Sequence, residues 1–245
     1  INEAFSASHR SHASVNQMAR NIFSVPGLNF SKEVMAINDI KNSTKRKLAI
    51  IGGSKVSTKI KILLSLTQSC TNIFIGGAMA NNFLKFQGIA VGQSLLDEGS
   101  EEMIKDIYTL ANKTGCEIHL PTDVVLNDEQ TLSIDRLSDQ NQFSILDLSN
   151  YSIEVLEQLV QRSEIVLWNG PMGMIEDPRF AQGSSKLAHL LANSSCDVVI
   201  GGGDTLLAIN IAGVSFDRYH FVSTAGGAFL EALEDKELPG IIALQ

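Results

Sequence analysis

Six short apolar runs recur along the chain, at 47–51, 72–75, 117–120, 164–168, 197–200 and 220–223, each closed by glycine or polar residues. The segments between them carry apolar residues at helical spacing, such as Ile60, Leu63, Leu64 and Leu66 after the first run, and Leu187, Leu190 and Leu191 before the fifth. Strands alternating with helices predict right-handed crossovers and a parallel sheet covered on both faces. The expected architecture is therefore a doubly wound α/β fold, a Rossmann-like three-layer αβα sandwich. Ligands of such sheets bind beyond the carboxyl ends of the strands. Glycine-rich turns stand at those ends in this chain: Gly52-Gly53, Gly76-Gly77, Gly170 and Gly201-Gly202-Gly203.

Two regions break the alternation. These are residues 90–97 and 122–150; the latter is polar and turn-rich with only short apolar pieces, a pattern that predicts small antiparallel strands and a surface excursion. The start of the chain also differs. Residues 1–5 read as a strand, 13–23 as a short helix and 24–27 as a break. Ser31 then reads as the N-cap of a helix whose apolar stripe is Val34, Met35, Ile37 and Ile40.

Composition narrows the function classes. A length of 245 residues with 44% hydrophobic content suits an α/β protein with a full core. A formal charge of −8 argues against a broad nucleic-acid surface, which needs excess Lys and Arg, but it leaves room for a small basic cluster that binds phosphate. No apolar run reaches membrane-spanning length, so no membrane partner is expected. The opening Ile1-Asn2-Glu3-Ala4 has no basic n-region and reads as neither a signal peptide nor a natural start. Cys70, Cys116 and Cys196 are odd in number and widely spaced, which points to reduced thiols in a cytoplasmic protein rather than to disulfides or a metal site.

The glycine turns carry the candidate chemistry. A strand ending in glycines brings backbone N–H groups close to an anion, and the following helix aims its positive end at it. Neither common nucleotide signature is present. Gly52-Gly53-Ser54-Lys55 lacks P-loop spacing, and Leu206 occupies the third glycine position of G-x-G-x-x-G. That failed third glycine also disfavours an α/β dehydrogenase. Lys55 and Lys59 are four apart and are expected on one helix face near its N-terminus, against the macrodipole, a conflict an anionic ligand would relieve. Asp204 and Thr205 stand where a helix should begin; the carboxylate either caps that helix or holds a cation that bridges phosphates. Trp168 reads as a core or pocket-wall residue. His9 and His12, three apart with no third ligand nearby, do not make a metal site.

Taken together, Gly52-Gly53-Ser54-Lys55-Val56-Ser57-Thr58-Lys59, Trp168-Asn169-Gly170-Pro171-Met172-Gly173-Met174-Ile175-Glu176, Gly201-Gly202-Gly203-Asp204-Thr205 and Gly76-Gly77-Ala78-Met79 resemble phosphoglycerate kinases. The resemblance runs nearly end to end, but only against the later, nucleotide-binding part of that family. It implies that Lys55 holds the α-phosphate of ATP or ADP and that Lys59 follows the transferring phosphoryl group. Asn169, Gly170 and Pro171 would lie against the nucleotide, with Met174 near the base or ribose and Glu176 on the ribose hydroxyls. Gly76 and Gly77 would flank the adenine, and Gly202, Gly203 and Thr205 would face phosphate. Asp204 would bind Mg2+. Gly226 belongs to a match with the family's phosphate-facing T-G-G-G-A, read here as Thr224-Ala225-Gly226-Gly227-Ala228; if Ala225 needs positive φ it is strained. A second departure is Asp147-Leu148-Ser149-Asn150, where the family shows D-I-G-P.

The start, Asn2-Glu3-Ala4-Phe5 through His9-Arg10-Ser11-His12-Ala13-Ser14, resembles the family segment whose arginine helps grip 3-phosphoglycerate, so Arg10 would be a substrate-binding and catalytic residue. The resemblance divides the chain into the end of a substrate domain (1–28), an interdomain helix and linker (29–45) and a nucleotide-binding domain (46–245). It implies reversible phosphoryl transfer between ATP and the carboxylate of 3-phosphoglycerate in glycolysis, by a monomer in which Lys59, Arg10, Gly203 and Gly226 act catalytically. The rest of the acceptor site would lie upstream of Ile1, so the isolated chain is expected to bind nucleotide without turnover. The alternative is a catalytically silent ADP/ATP-binding module.

Overall fold

The computed structural model describes residues 1–138, 142–234 and 236–245. Six strands, β1 (Lys47–Ile51), β2 (Asn72–Ile75), β3 (Glu117–His119), β7 (Ile165–Asn169), β8 (Asp197–Gly201) and β9 (Phe221–Val222), form one sheet in the order β3-β2-β1-β7-β8-β9. Every neighbouring pair in it is parallel. All six expected runs thus become strands, with ends shifted by a residue or so. The chain works outward from β1 to β3 and then crosses back to set β7 on the other side of β1. That reversal is the topological switch point of a doubly wound sheet, where ligands bind.

The central strands are buried on both faces, which explains their unbroken apolar character. Ala49, Ile51, Ile73, Ile75, Leu167 and Val199 point to one face, under α3 (Ile60–Ser69), α4 (Met79–Phe86), α5 (Glu101–Thr114) and α9 (Gly227–Leu233). Leu48, Ile50, Phe74, Val166, Trp168 and Ile200 point to the other, under α6 (Asn150–Gln161), α7 (Gln182–Ala192) and α8 (Gly203–Ile211). Trp168 is fully buried, its indole N–H bonded to the Gly170 carbonyl at 2.8 Å, as a core residue should be.

The expected excursion is a second, small antiparallel sheet ordered β5-β4-β6, from β4 (Asp123–Leu126), β5 (Thr131–Ser133) and β6 (Ile145–Leu148). The part of that reading at 139–141 lies outside the described residues. Leu84, Val91, Val124, Leu126, Phe143 and Ile145 give this sheet its own apolar cluster.

At the start of the chain the structure corrects several expectations. Residues 1–5 are not a strand: Asn2 and Pro26 form a single parallel bridge, and a 3-10 turn follows at Phe5–Ala7. The next helical stretch is a π turn, Ala13–Gln17, running into α1 (Met18–Asn21). Helix α2 (Leu28–Asn42) begins three residues before Ser31, with Gly27 at its N-cap. Its orphan N–H groups are satisfied from a distance, since the Glu3 carboxylate accepts from Asn29 N (3.3 Å) and Phe30 N (2.9 Å). Its buried face is Phe30, Glu33, Ile37 and Ile40 with Val34 partly buried beside them, whereas Met35 is 63% exposed. Phe5 packs edge-to-face on Phe30 and joins the core beneath α9. The last helix, α10 (Pro239–Ile242), is tied back to the start by Gly240 N donating to Ser8 O at 2.9 Å.

Candidate nucleotide site

The carboxyl ends of β1, β7 and β8 are knitted together by a short hydrogen-bond network. Gly52 N donates to Asn169 O (2.8 Å), and Asn169 Nδ2 donates to Gly201 O (2.6 Å). Thr205 Oγ1 accepts from Gly170 N (2.7 Å) and donates to Gly201 O (2.8 Å). Asn169 and Thr205 are buried, so each spends its side chain on a neighbouring turn rather than on water. Gly170 sits at φ +90°, and a Cβ there would come within 2.5 Å of the Gly52 carbonyl oxygen. Only glycine lets the two turns approach this closely.

Lys59 is the basic member of the network. Its Nζ donates to Gly52 O (2.7 Å), Asn169 Oδ1 (2.5 Å) and Asn169 O (3.4 Å). Burial lowers its pKa to about 8, with the Asp204 carboxylate pulling the other way. The expected shared helix face is not formed. Lys59 is the N-cap of α3, while Lys55 lies four residues earlier in an irregular turn and is exposed. Between them the chain runs through a turn at Ser57, whose N–H donates to Asp97 Oδ2 at 2.8 Å. Asp204 is the second residue of α8, exposed, and makes no capping bond; Gly202, at φ +97°, is the N-cap. Of the two readings of Asp204, the cap is excluded.

Beside this network lies a cleft of about 310 Å³. Gly53, Gly77, Pro171 and Asp204 line its strand-end side, and Met174 and Glu176 stand on its rim, both exposed. The opposite wall is Leu84, Leu95, Val124, Ile145, Asp147 and Leu148, supplied largely by the small sheet. The structure thus brings Gly77, Pro171, Met174, Glu176 and Asp204 to one cavity. Lys59, Asn169, Gly170, Gly202 and Thr205 sit in the network behind it, and Gly203 opens α8 beside them. Gly76 packs against the Met172 side chain, so close that a Cβ would strike its sulfur.

Arg10 and Gly226 are not among the residues lining the cleft. Arg10 is exposed and donates from Nε to His9 Nε2 at 3.2 Å. Gly226 caps α9 at φ +54°; Ala225 is buried and free of positive φ, so the anticipated strain does not arise. The turn before it is held by Glu33 of α2, whose Oε1 accepts from Thr224 N at 3.2 Å. Ser149, in the other departure from the family pattern, caps α6 by accepting from Tyr151 N at 3.2 Å. Asp147 in the same stretch is a cleft residue to which the motifs gave no role. In the sequence it stands as the leading carboxylate of the stretch set against the family's D-I-G-P, between Leu146 and Leu148. Among the described residues no cluster of three acidic, His or Cys side chains could cage a metal ion. A single exposed carboxylate does fit Mg2+, which keeps most of its shell as water and phosphate oxygens.

A family profile described as phosphoglycerate kinase matches residues 1–236. The phosphoglycerate kinase of Zymomonas mobilis is 40% identical over 100% of this chain and 64% of its own length, and that of Maricaulis maris 41% over 100% and 63%. The solved structure of phosphoglycerate kinase from Coxiella burnetii superposes with a TM-score of 0.92 at 35% identity, over 98% of this chain and 64% of that one. The enzyme from Pyrococcus horikoshii superposes with a TM-score of 0.84 at 25% identity. The chain therefore spans just under two thirds of the length of the relatives it matches.

Proposed function

Because this chain belongs to the phosphoglycerate kinase family, we propose that it is the nucleotide-binding part of an enzyme catalysing ATP + 3-phosphoglycerate ⇌ ADP + 1,3-bisphosphoglycerate. The observation that carries the reading is the Lys59–Asn169–Thr205 network, which gathers three strand ends at the switch point and stands behind a cleft whose strand-end side is Gly53, Gly77, Pro171 and Asp204. Phosphates belong on the network side, where backbone N–H groups, Lys55 and Lys59 supply positive potential. The nucleoside belongs between Met174, Glu176 and the apolar wall. Asp204 would hold Mg2+, which when bound neutralises phosphate charge. The acceptor is a carboxylate, ionised at neutral pH given an α-carboxyl pKa of about 3.5, so no general base is required. The protein's task is to bring two anions together and exclude water.

The same reading assigns 1–28 to the end of the substrate domain, 29–45 to the interdomain helix and linker, and 46–245 to the nucleotide domain. Arg10 would meet 3-phosphoglycerate and Gly226 the phosphoryl group. A cytoplasmic monomer suits three unpaired cysteines and the absence, among the described residues, of any helix able to cross a membrane. Calorimetry with ADP in magnesium tests the nucleotide site. Saturable binding is expected, weakened about tenfold by Asp204→Ala in magnesium and unchanged by it in EDTA. No saturable heat would overturn the assignment.

A further inference from the structure

Asp147 lies at the junction of three pieces of the cleft. It is on β6, opposite Val125 of β4, and is 2% exposed. Its Oδ2 accepts from Gly183 N and its Oδ1 from Leu148 N, both at 2.8 Å. Gly183 is in the first turn of α7, whose N-cap, Ala181, has no side chain able to cap it. The carboxylate therefore caps α7 from another strand. On its other side it fills the space left by Gly173, where any Cβ would collide with Oδ1; the same holds at Gly183. Gly173 belongs to the loop that presents Met174 and Glu176. That loop is also held to β6 by Met174 N donating to Leu146 O at 2.9 Å, and to α7 by Met172 N donating to Ser184 Oγ at 2.9 Å.

We propose that Asp147 is a positioning residue for the nucleoside half of the cleft, setting the 171–176 loop against β6 and α7 so that Met174 and Glu176 face a bound nucleoside. The inference rests on the nucleotide-site reading above and deepens it. Both carboxylate oxygens accept from backbone N–H groups; protonation leaves one of them a weaker acceptor, and an amide replaces it with a donor facing a donor. Burial opposes that ionisation and raises the pKa to about 7, with the Gly183 and Leu148 N–H groups and the Lys186 charge working against it. Lys186, Tyr151 of α6, Glu129 and Arg179 line the neighbouring pocket together with Asp147, and Glu176 and Asp204 line the cleft with it; of these charges Lys186 is the one that acts on the carboxylate. A buried carboxylate retained against its own desolvation fits a role in placing the loop rather than in holding the core together.

The test separates the two halves of the ligand. Adenosine reports on the nucleoside side, inorganic pyrophosphate on the strand-end side, and Mg-ADP on both. Asp147→Asn should weaken adenosine and Mg-ADP about tenfold and leave pyrophosphate within twofold. Wild-type adenosine affinity should fall as pH drops from 8 to 6, and Asp147→Asn should abolish that dependence. Gly183→Ala presses a methyl group on the carboxylate without changing its charge, and should reproduce the adenosine loss even if the amide variant fails to fold. Unchanged adenosine binding in both variants, or equal loss of adenosine and pyrophosphate with a lowered melting temperature, overturns the proposal. A wild-type chain that binds none of the three probes overturns the nucleotide reading itself, and this inference with it.

Discussion

Along one side of the cleft, Gly52, Asn169, Gly170, Gly201 and Thr205 hold one another through bonds of 2.6–2.8 Å made mostly by backbone groups. The other side is a three-stranded sheet whose cluster of Leu84, Val124, Ile145 and their neighbours is separate from the two that sandwich the main sheet. It touches the strand-end side through a loop, a carboxylate and a few long-range bonds. The first side has little freedom, because moving any turn breaks bonds in two others. The second is tied to the main fold by Asp147, which β6 sets against α7, and by Leu148, which β6 lends to the main core. On the proposed reading the tightly bonded side would receive the phosphates and the small-sheet side the nucleoside.

The contrast breaks most visibly at Gly170. Replacing it with Ala drives a Cβ into the Gly52 carbonyl at a positive φ, and should destabilise the chain by roughly 2–4 kcal/mol. Urea unfolding would show the shift in midpoint, and a loss below about 1 kcal/mol would mean the strand-end side is as yielding as the other. Lys59→Met comes next. Assayed in the enzyme with its substrate domain, it should lower kcat about 100-fold, roughly 2.7 kcal/mol, with a smaller change in ADP affinity. Weakened ADP binding with kcat unchanged would instead make Lys59 a ground-state clamp.

The protonation of Lys59 sharpens the same point. Its pKa of about 8 in the free protein should be raised by a neighbouring phosphate, so binding favours the charged form. Mg-ADP binding near pH 8 should therefore take up a proton, visible as a dependence of the calorimetric enthalpy on buffer. Above pH 8 affinity should fall by up to tenfold per pH unit. The nucleoside side yields the smallest effect. Glu176→Gln keeps shape but weakens an acceptor, and should cost about 1 kcal/mol of ADP affinity or less, roughly fivefold. A hundredfold loss would show that this side is as tightly specified as the first.

Residues whose role is local were legible without coordinates. The strands of the main sheet read directly from apolar runs bounded by glycine, because burial on both faces demands unbroken hydrophobicity. The glycine turns read from composition, because close backbone approach excludes side chains. Asn169 and Thr205 stand out in the sequence through the family resemblance, as nucleotide contacts; that they lock neighbouring turns to one another is visible only in the fold. The errors share a cause as well. Adjacency points to Ser31 as the cap of α2 and apolar spacing to Met35 as core, whereas Glu3 caps the helix from 26 or 27 residues away and Met35 is exposed. The spacing of Lys55 and Lys59 allows one helix face, but α3 begins only at Ile60, and the turn before it is joined to Asp97, 40 residues away.

Asp147 belongs to that second group. It caps a helix that begins 35 residues later, across a sheet that periodicity alone describes only as an excursion. Which strands form, where the chain bends and which glycines must remain glycine follow from short-range sterics and from the hydrophobic period, and these are written in neighbouring letters. Which carboxylate closes which helix end, how far a lysine is desolvated and which loop faces the cleft depend on groups brought together by folding. Desolvation and long-range hydrogen bonds act through space, so no window along the chain contains them.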